Sequence, residues 1–273
     1  MTAGQAKKAI KYNLVQGHRL SHILRALRMP KSTYYYWKKH HPTYRQRQNV
    51  LLKRQITKLW YRNHYIYGYP RMKIALDRNG FHISARRAWK LMHELGIHSI
   101  MNKKLVKPHT HNDYPQRPNL IKNRDWTNAW CGDITYIRLM TGKWVYLASV
   151  YNPNTHHIIA YQIEPHMTDK LVTSVMKEAL KTTSSAQHPL IMHTDMGSQY
   201  TSDEFENYLI RHQLRHSYSR KGYPYDNTYI ENFHSLLKKE WTFHHQYHNI
   251  YEARASIGSY IKWYNTNRIS LVS

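Results

Sequence analysis

The spacing of apolar residues changes near Trp126, and this change limits what the chain can fold into. Before residue 100, apolar side chains recur at intervals of three or four, as at Leu20, Ile23, Leu24 and Leu27. From Trp126 onward they alternate with polar ones, as in AWCGDITYIRLM. The first spacing is typical of amphipathic helices and the second of strands. The sequence therefore predicts all-α domains followed by an α/β domain.

The α/β half has a definite order of predicted elements. Three hairpin-like strands come first, separated by the turn signals TGK and NPNT. A helix capped by Thr168 follows, and then strand, helix, strand and helix. This order predicts a mixed sheet flanked by helices.

Three short helices are predicted within residues 1–43, with breaks at Gly17 and Pro30 and Ser32 as the N-cap of the third. A helix, a short turn and a helix with basic and aromatic residues are typical of a helix-turn-helix DNA reader. In that interpretation the third helix supplies the DNA contacts Lys31, Ser32 and Tyr35. A plain three-helix bundle accounts for the pattern equally well.

Residues 44–100 have a similar layout and are predicted to form a second helix-turn-helix-like domain. Ser84 is expected to cap a helix that Gly96 terminates. Three cations would lie on the exposed face of this helix and contact DNA, namely Arg86, Arg87 and Lys90. Residues 101–125, with three prolines and six basic residues, are predicted to be a basic linker.

Positive charge is concentrated in the first half of the chain. Residues 1–130 hold 27 Lys and Arg against four Asp and Glu, whereas residues 131–273 hold 14 against 12. A net charge of +25 indicates a polyanionic partner. The 24 Tyr and 8 Trp favour folded domains with stacking surfaces over a disordered basic tail.

Three carboxylates of the α/β half stand out against this basic background. Asp133 lies inside an apolar strand, Asp195 follows the apolar run PLIM, and Glu231 lies on a long helix. Each has an ordinary explanation, as a paired or edge acid, a turn former and a solvent-facing helix acid respectively. Held together, they could bind two divalent cations for phosphoryl transfer.

The residues around these acids resemble a known family. The three catalytic blocks of bacterial insertion-sequence transposases of the retroviral-integrase type are similar to WCGDITYI, HTDMGSQYTS and SRKGYPYDNTYIENFHSLLKKE. Within that group the chain resembles the second reading-frame product of insertion-sequence family three. The resemblance implies a ribonuclease H-like catalytic domain at residues 126–245 and a C-terminal helix at residues 246–273.

The resemblance also implies roles for individual positions. Asp133, Asp195 and Glu231, the last two separated by 35 residues, would be the catalytic residues and the ligands of two Mg²⁺ ions, which Mn²⁺ can replace. Further positions would contact the DNA, namely Ser198, Gln199, Tyr200, Asn227 and Lys238.

The implied activity is two-metal-ion cleavage of the ends of an insertion element, followed by joining of the 3′ hydroxyl to another DNA strand. The implied partners are the terminal inverted repeats, the target DNA, further copies of the chain on that DNA, and an upstream reading-frame product in a fusion. Relatives are expected to continue beyond the final YNTNRISLVS. Alternatives are a non-catalytic DNA-binding regulator, an inactivated transposase remnant and a nuclease of the ribonuclease H type.

Cys131 is the single cysteine, which excludes an internal disulfide and a cysteine-based zinc module. The sequence shows neither a secretory signal nor an apolar run of membrane length. We therefore expect a cytoplasmic, nucleoid-associated bacterial protein without a membrane partner.

Overall fold

The computed structural model describes residues 2–39, 42–101, 117–121, 126–184, 191–219 and 226–271. It divides the chain into two compact units, residues 1–57 and residues 58–273. Most of the predicted linker, residues 101–125, lies outside the described residues.

The first unit contains three short helices, α1 (Ala3–Val15), α2 (Leu20–Ala26) and α3 (Lys31–Lys39). Their small core is formed by Ile10, Ile23 and Leu24. The carbonyl of Pro30 accepts the first hydrogen bonds of α3, from the amides of Thr33 and Tyr34. Ser32 therefore lies in the first turn of α3, and its prediction as the N-cap is wrong because the helix begins at Lys31, two residues earlier than that prediction requires.

Three further helices precede the sheet, α4 (Tyr44–Arg62), α5 (Tyr69–Arg78) and α6 (Ala85–Glu94). The prediction for α6 is confirmed, since the Ser84 hydroxyl accepts the amide of Arg87 at 3.2 Å and caps the helix. Gly96 follows the helix with φ +68°, a left-handed conformation that suits glycine at a helix end. The buried face of α6 consists of Ala88, Leu91 and Met92.

The second half forms one mixed sheet, as the alternating pattern predicts. Its strands are β1 (Ala129–Arg138), β2 (Trp144–Asn152), β3 (His157–Glu164), β4 (Ile191–Thr194) and β5 (Arg215–Tyr218). The strand order is β3-β2-β1-β4-β5. The first three strands form an antiparallel meander, and β4 pairs in parallel with both β1 and β5.

Helices cover both faces of the sheet, namely α7 (Asp169–Thr182), α8 (Asp203–Arg211), α9 (Thr228–Glu240) and α10 (Ile250–Thr266). The larger core lies between the sheet and α7 and α8, where Trp130 and Val150 meet Met176 and Phe205. Successive strand residues point to opposite faces. Ser149, which follows one core residue and precedes another, therefore faces α9. None of the described helices is both long enough and apolar enough to cross a membrane.

The last turn of α9 is fixed by a buried ion pair. Glu240 is fully buried, and its two carboxylate oxygens accept hydrogen bonds from Arg268 at 2.9 and 2.7 Å. The hydroxyl of Tyr260 donates to Glu240 at 2.8 Å, and the guanidinium of Arg71 on α5 lies 3.9 Å away. Nearby, Arg71 donates to the carbonyl of Ile269 at 2.9 Å. This cluster joins α5, α9 and the segment after α10.

Candidate active site

Asp133 occupies the middle of β1, and both of its carboxylate oxygens have partners. The amide of Ile134 donates to Oδ1 at 2.8 Å. The Nδ1 atom of His234, on α9, lies 3.1 Å from Oδ2. With 21% of its side chain exposed, Asp133 is held in one orientation while keeping access to solvent.

His234 connects Asp133 to a second strand. Its Nε2 atom lies 2.7 Å from the hydroxyl of Ser149, which is the cross-strand partner of Asp133. A neutral imidazole with its proton on Nδ1 satisfies both contacts, because it donates to the carboxylate and accepts from the hydroxyl. The sequence analysis did not identify His234. Its spacing of three residues from Glu231, which places both on neighbouring positions of one helix face, was the available signal.

Asp195 lies beside Asp133 because of the parallel pairing of β4 with β1. Cys131 is paired with His193, and each aspartate follows its paired residue by two positions. The amide of Gly197 donates to Oδ1 of Asp195 at 3.0 Å. Although Asp195 is exposed, partial desolvation and then the charge of Asp133 raise its pKa to about 6. The carboxylates of Asp133 and Asp195 therefore repel each other.

Gly197 fits tightly against Asp195. A Cβ atom at this position would lie 3.1 Å from Oδ1 of Asp195, closer than ordinary van der Waals contact. Glycine therefore allows the backbone of the turn to approach the carboxylate and to donate a hydrogen bond to it.

Glu231 lies in the first turn of α9 and is partly buried. Two contacts fix this helix against β1. Asn227 donates from Nδ2 to the carbonyl of Gly132 at 3.2 Å, and His234 contacts Asp133. The structure thus places the helix that carries Glu231 directly against the strand that carries Asp133.

The prediction that Asn227 contacts DNA is not supported by its position. Only 3% of this residue is exposed, because its side chain is directed to the backbone of β1. Asn227 is the N-cap residue of α9 but makes no capping hydrogen bond through its side chain. Its observed contact is structural.

The donor set suits a divalent cation. In the described part of the chain, no three His, Cys, Asp or Glu side chains form a complete metal-binding group. Asp133 and Asp195 nevertheless supply carboxylate oxygens, which Mg²⁺ and Mn²⁺ prefer, and Mg²⁺ usually takes only one or two protein carboxylates besides water and phosphate. The negative charges of Asp133 and Asp195 repel each other, and a bound cation would neutralise them.

The other predicted DNA contacts differ in exposure. Ser198 is exposed, and Gln199 is half-buried, with its amide 3.5 Å from the carbonyl of Met167. Tyr200, by contrast, is 3% exposed and packs in the core against Phe205, and this burial does not support its predicted contact with the cut strand. Among the residues of the helical half, the exposed ones are Lys31, Ser32, Tyr35, Arg86 and Lys90, and Arg87 is half-buried.

Two buried histidines support the strands next to Asp195. Burial lowers the pKa of His193 on β4 and of His216 on β5 to about 4 in each case. His193 lies 2.8 Å from the hydroxyl of Ser217, and His216 lies 2.9 Å from the hydroxyl of Thr194. Both rings are therefore neutral near pH 7 and join β4 to β5 by hydrogen bonds.

Family models match most of the described architecture. The model described as Integrase core domain matches residues 127–224, and a second model with the same description matches residues 212–269. The model described as HTH-like domain matches residues 46–104. The two integrase matches together include the whole sheet and helices α7 to α10.

Curated relatives are similar over nearly the whole chain. The InsK protein for insertion sequence element IS150 of Escherichia coli (strain K12) is 29% identical over 263 residues, which cover 94% of this chain and 91% of that protein. The transposase for insertion sequence element IS904 of Lactococcus lactis subsp. lactis (strain IL1403) is 32% identical over 237 residues, which cover 84% and 92% respectively. Among solved structures, the catalytic core domain of BIV integrase is 16% identical with a TM-score of 0.41, covering 53% of this chain and 87% of that one.

Proposed function

Since this chain belongs to the insertion-sequence transposases with an integrase core domain, we propose that Asp133, Asp195 and Glu231 are its catalytic carboxylates. The family makes the protein a DDE-type polynucleotidyl transferase that acts in DNA transposition, with a ribonuclease H-like catalytic fold and an HTH-like domain before it. The assignment of individual residues and steps is the proposal.

The single observation that carries this proposal is the position of Asp195 beside Asp133. Adjacent parallel strands deliver the two acids to one place, and the charge of Asp133 contributes to the raised pKa of Asp195. Such repulsion destabilises a fold unless the acids have a ligand of opposite charge. Glu231 lies in the first turn of α9, and this helix contacts β1 through Asn227.

We further propose that Asp133, Asp195 and Glu231 hold two Mg²⁺ ions, for which Mn²⁺ can substitute. Bound there, the ions supply charge neutralisation at the reacting phosphate and activation of the attacking oxygen. The protein orients the carboxylates. His234 and the amide of Ile134 fix Asp133, and the amide of Gly197 fixes Asp195.

The proposed reaction has two in-line displacements at phosphorus. In the first, a water oxygen attacks the phosphodiester at the element's end, the bond from phosphorus to the 3′ oxygen breaks, and this oxygen leaves as a 3′ hydroxyl. In the second, that hydroxyl loses its proton and attacks a phosphodiester of another strand, where one 3′ oxygen leaves and the strands are joined. Neither step requires a covalent bond between DNA and the protein.

Charge and exposure support separate DNA-binding and catalytic parts of the chain. We propose helix-turn-helix units at residues 1–43 and 44–100, a linker at 101–125, the catalytic domain at 126–245 and a C-terminal helix at 246–273. Exposed cations of the helical half, among them Lys31, Arg86 and Lys90, would hold the terminal inverted repeats through their phosphates. Ser198, Gln199 and Lys238 would contact the strand near the carboxylates. Two or more copies are proposed to act together on the DNA, with or without an upstream fusion partner.

The test is incubation of the full chain with labelled element ends and Mg²⁺, followed by separation of cleaved and joined strands. The wild type should give joined products, and Asp195→Asn should give neither cleavage nor joining while binding the DNA within about twofold of wild type. Asp203→Asn, which changes an exposed acid on α8, is the matched control and should remain active. If Asp195→Asn joins DNA normally, the carboxylate assignment is wrong. DNA binding by wild type without any product would instead favour a regulator.

A further inference from the structure

Beyond the carboxylates, β1 and β2 carry two exposed aromatic rings, each accompanied by a cation. Tyr136 is 57% exposed and Trp144 is 45% exposed, and their ring centroids lie 5.2 Å apart with the planes nearly perpendicular. Arg138 is the cross-strand partner of Trp144, and its guanidinium lies 5.8 Å from the Trp144 ring centroid. The ammonium of Lys238 lies 4.4 Å from the Tyr136 ring centroid. These four residues are called the aromatic edge below.

The aromatic edge shares its elements with the proposed active site. Tyr136 follows Asp133 by three residues on β1, which is about 10 Å along the strand, and alternation directs these two side chains to opposite faces of the sheet. Lys238 follows Glu231 by seven residues on α9, which is about two helical turns. In the described part of the chain, the pairing of β4 with β1 covers Ala129 to Cys131. Past Cys131, β1 has no strand partner on this side among the described residues.

Packing does not account for the aromatic edge. Aromatic residues stabilise a sheet mainly through the apolar surface that they bury, yet about half of the surface of Tyr136 and Trp144 remains in water. Exposed rings that alternate with cations are what sequence-tolerant binding of single-stranded nucleic acid requires, because bases stack on the rings and cations neutralise the phosphates.

We propose that the aromatic edge binds unpaired bases of the DNA strand that leads away from the reacting phosphate. This inference rests on the proposed function, because the carboxylates are what place a DNA strand beside β1. Bases stack on Tyr136 and Trp144, and the flexible side chains of Arg138 and Lys238 turn from the rings to the phosphates.

The test compares two DNA probes in the absence of divalent metal ions. One is a short duplex with a single-stranded overhang that contains 2-aminopurine, and the other is the same duplex with blunt ends. We expect Trp144→Ala and Tyr136→Ala to bind the overhang DNA about tenfold more weakly and to lose quenching of 2-aminopurine, since stacking on an aromatic side chain contributes about this much per base. Binding of the blunt duplex should change by less than about twofold.

Two further variants make the result specific. Tyr251→Ala removes a more exposed aromatic side chain on α10, at 74% exposure, and should bind both probes normally. Trp144→Phe keeps an aromatic face and should retain most of the affinity for the overhang. Both measurements are repeated in chains that also carry Asp195→Asn. Their outcome then does not depend on whether Asp195 is a catalytic carboxylate.

Three results would overturn the proposal. One is unchanged affinity and quenching with Trp144→Ala and Tyr136→Ala. Another is an equal loss for the blunt and overhang probes, which would mean general phosphate binding. The third is a change in sedimentation of the DNA-free protein with Trp144→Ala, which would identify the aromatic edge as a contact between protein chains.

Discussion

The Nδ1 atom of His234 lies 3.1 Å from Oδ2 of Asp133, and the opposite side of the same imidazole contacts Ser149. The ring is nearly buried, with 6% of its side chain exposed. A hydrogen-bond partner of this kind fixes the direction of a metal-binding carboxylate, and its loss typically costs 10- to 100-fold in metal affinity or activity.

We predict that His234→Phe, which keeps the ring volume, raises the Mg²⁺ concentration needed for half-maximal strand joining by about tenfold or more. The same variant should bind DNA normally in the absence of metal, because His234 lies beneath the site. His234→Gln should restore part of the lost function through its amide donor. The measurement is a Mg²⁺ titration of joining alongside metal-free DNA binding. Unchanged Mg²⁺ dependence in His234→Phe would contradict the assignment.

Gly197→Ala should reduce joining without unfolding the protein. The new methyl group would lie 3.1 Å from Oδ1 of Asp195, so the carboxylate must move by a few tenths of an ångström. Such a displacement can cost up to about 100-fold in rate. Gly4→Ala is the control, since no atom lies within 4 Å of its added Cβ. Gly4→Ala should have a melting temperature no lower than that of wild type and should retain activity. Equal activities of Gly197→Ala and Gly4→Ala would contradict the prediction that Gly197 helps to position Asp195.

Asp195→Asn should raise the melting temperature of the metal-free protein at neutral pH, although it abolishes activity. The substitution removes the repulsion between Asp195 and Asp133 that helps to raise the pKa of Asp195. Addition of Mg²⁺ or Ca²⁺ should raise the melting temperature of the wild type and have little effect on Asp195→Asn. A cation stabilises a folded protein only if it binds to it, and the substitution removes one of the proposed ligands. Equal stabilisation of both proteins by the cation would place the metal elsewhere.

Acid should destabilise the protein partly through His216. Burial lowers the pKa of this residue from 6.5 to about 4 in the folded state, so the unfolded chain binds a proton first as the pH falls. Stability due to His216 is complete above about pH 6.5 and is lost as the pH falls toward about 4, by about 1.4 kcal/mol per pH unit at most. Unfolding by urea between pH 4 and pH 8 should show a shallower pH slope for His216→Gln than for wild type. An identical slope would rule out this contribution.

Loss of Glu240 should strongly destabilise the fold. Glu240→Ala leaves Arg268 buried without its carboxylate, which typically costs about 3–5 kcal/mol in the free energy of unfolding. Glu178→Ala breaks an exposed contact of 3.9 Å with Lys181 and should cost less than about 1 kcal/mol. The double variant Glu240→Met with Arg268→Met should recover much of the loss. Similar urea midpoints for Glu240→Ala and Glu178→Ala would show that the ion pair contributes little.

Local sequence predicted most of the catalytic fold. Alternation after Trp126 identified the first three strands, because side chains alternate across a strand, and the short apolar run PLIM identified the fourth. Ser84 and Thr168 were recognisable as caps, since capping depends on residues only three positions apart.

Contacts between distant elements could not be predicted in this way. The burial of Asn227 and Tyr200, and the use of His234 as a partner of Asp133, depend on how α9 and the loop after β4 pack against β1. No local pattern encodes that packing. Ser32 was misplaced for a different reason, because several residues after Pro30 are compatible with a helix start and the choice depends on the tertiary context.

Helix α9 carries Glu231 in its first turn and Glu240 in its last, and Glu240 lies among Arg71 and Arg268. Modules exchanged between related transposases must therefore match each other at this buried cluster, in addition to recognising the DNA. A hybrid that takes its helical segment from one element and its catalytic core from another must inherit an arginine at position 71 together with the Glu240–Arg268 pair. Otherwise the hybrid has an altered charge balance around a buried carboxylate on the helix that carries Glu231, the proposed third catalytic acid.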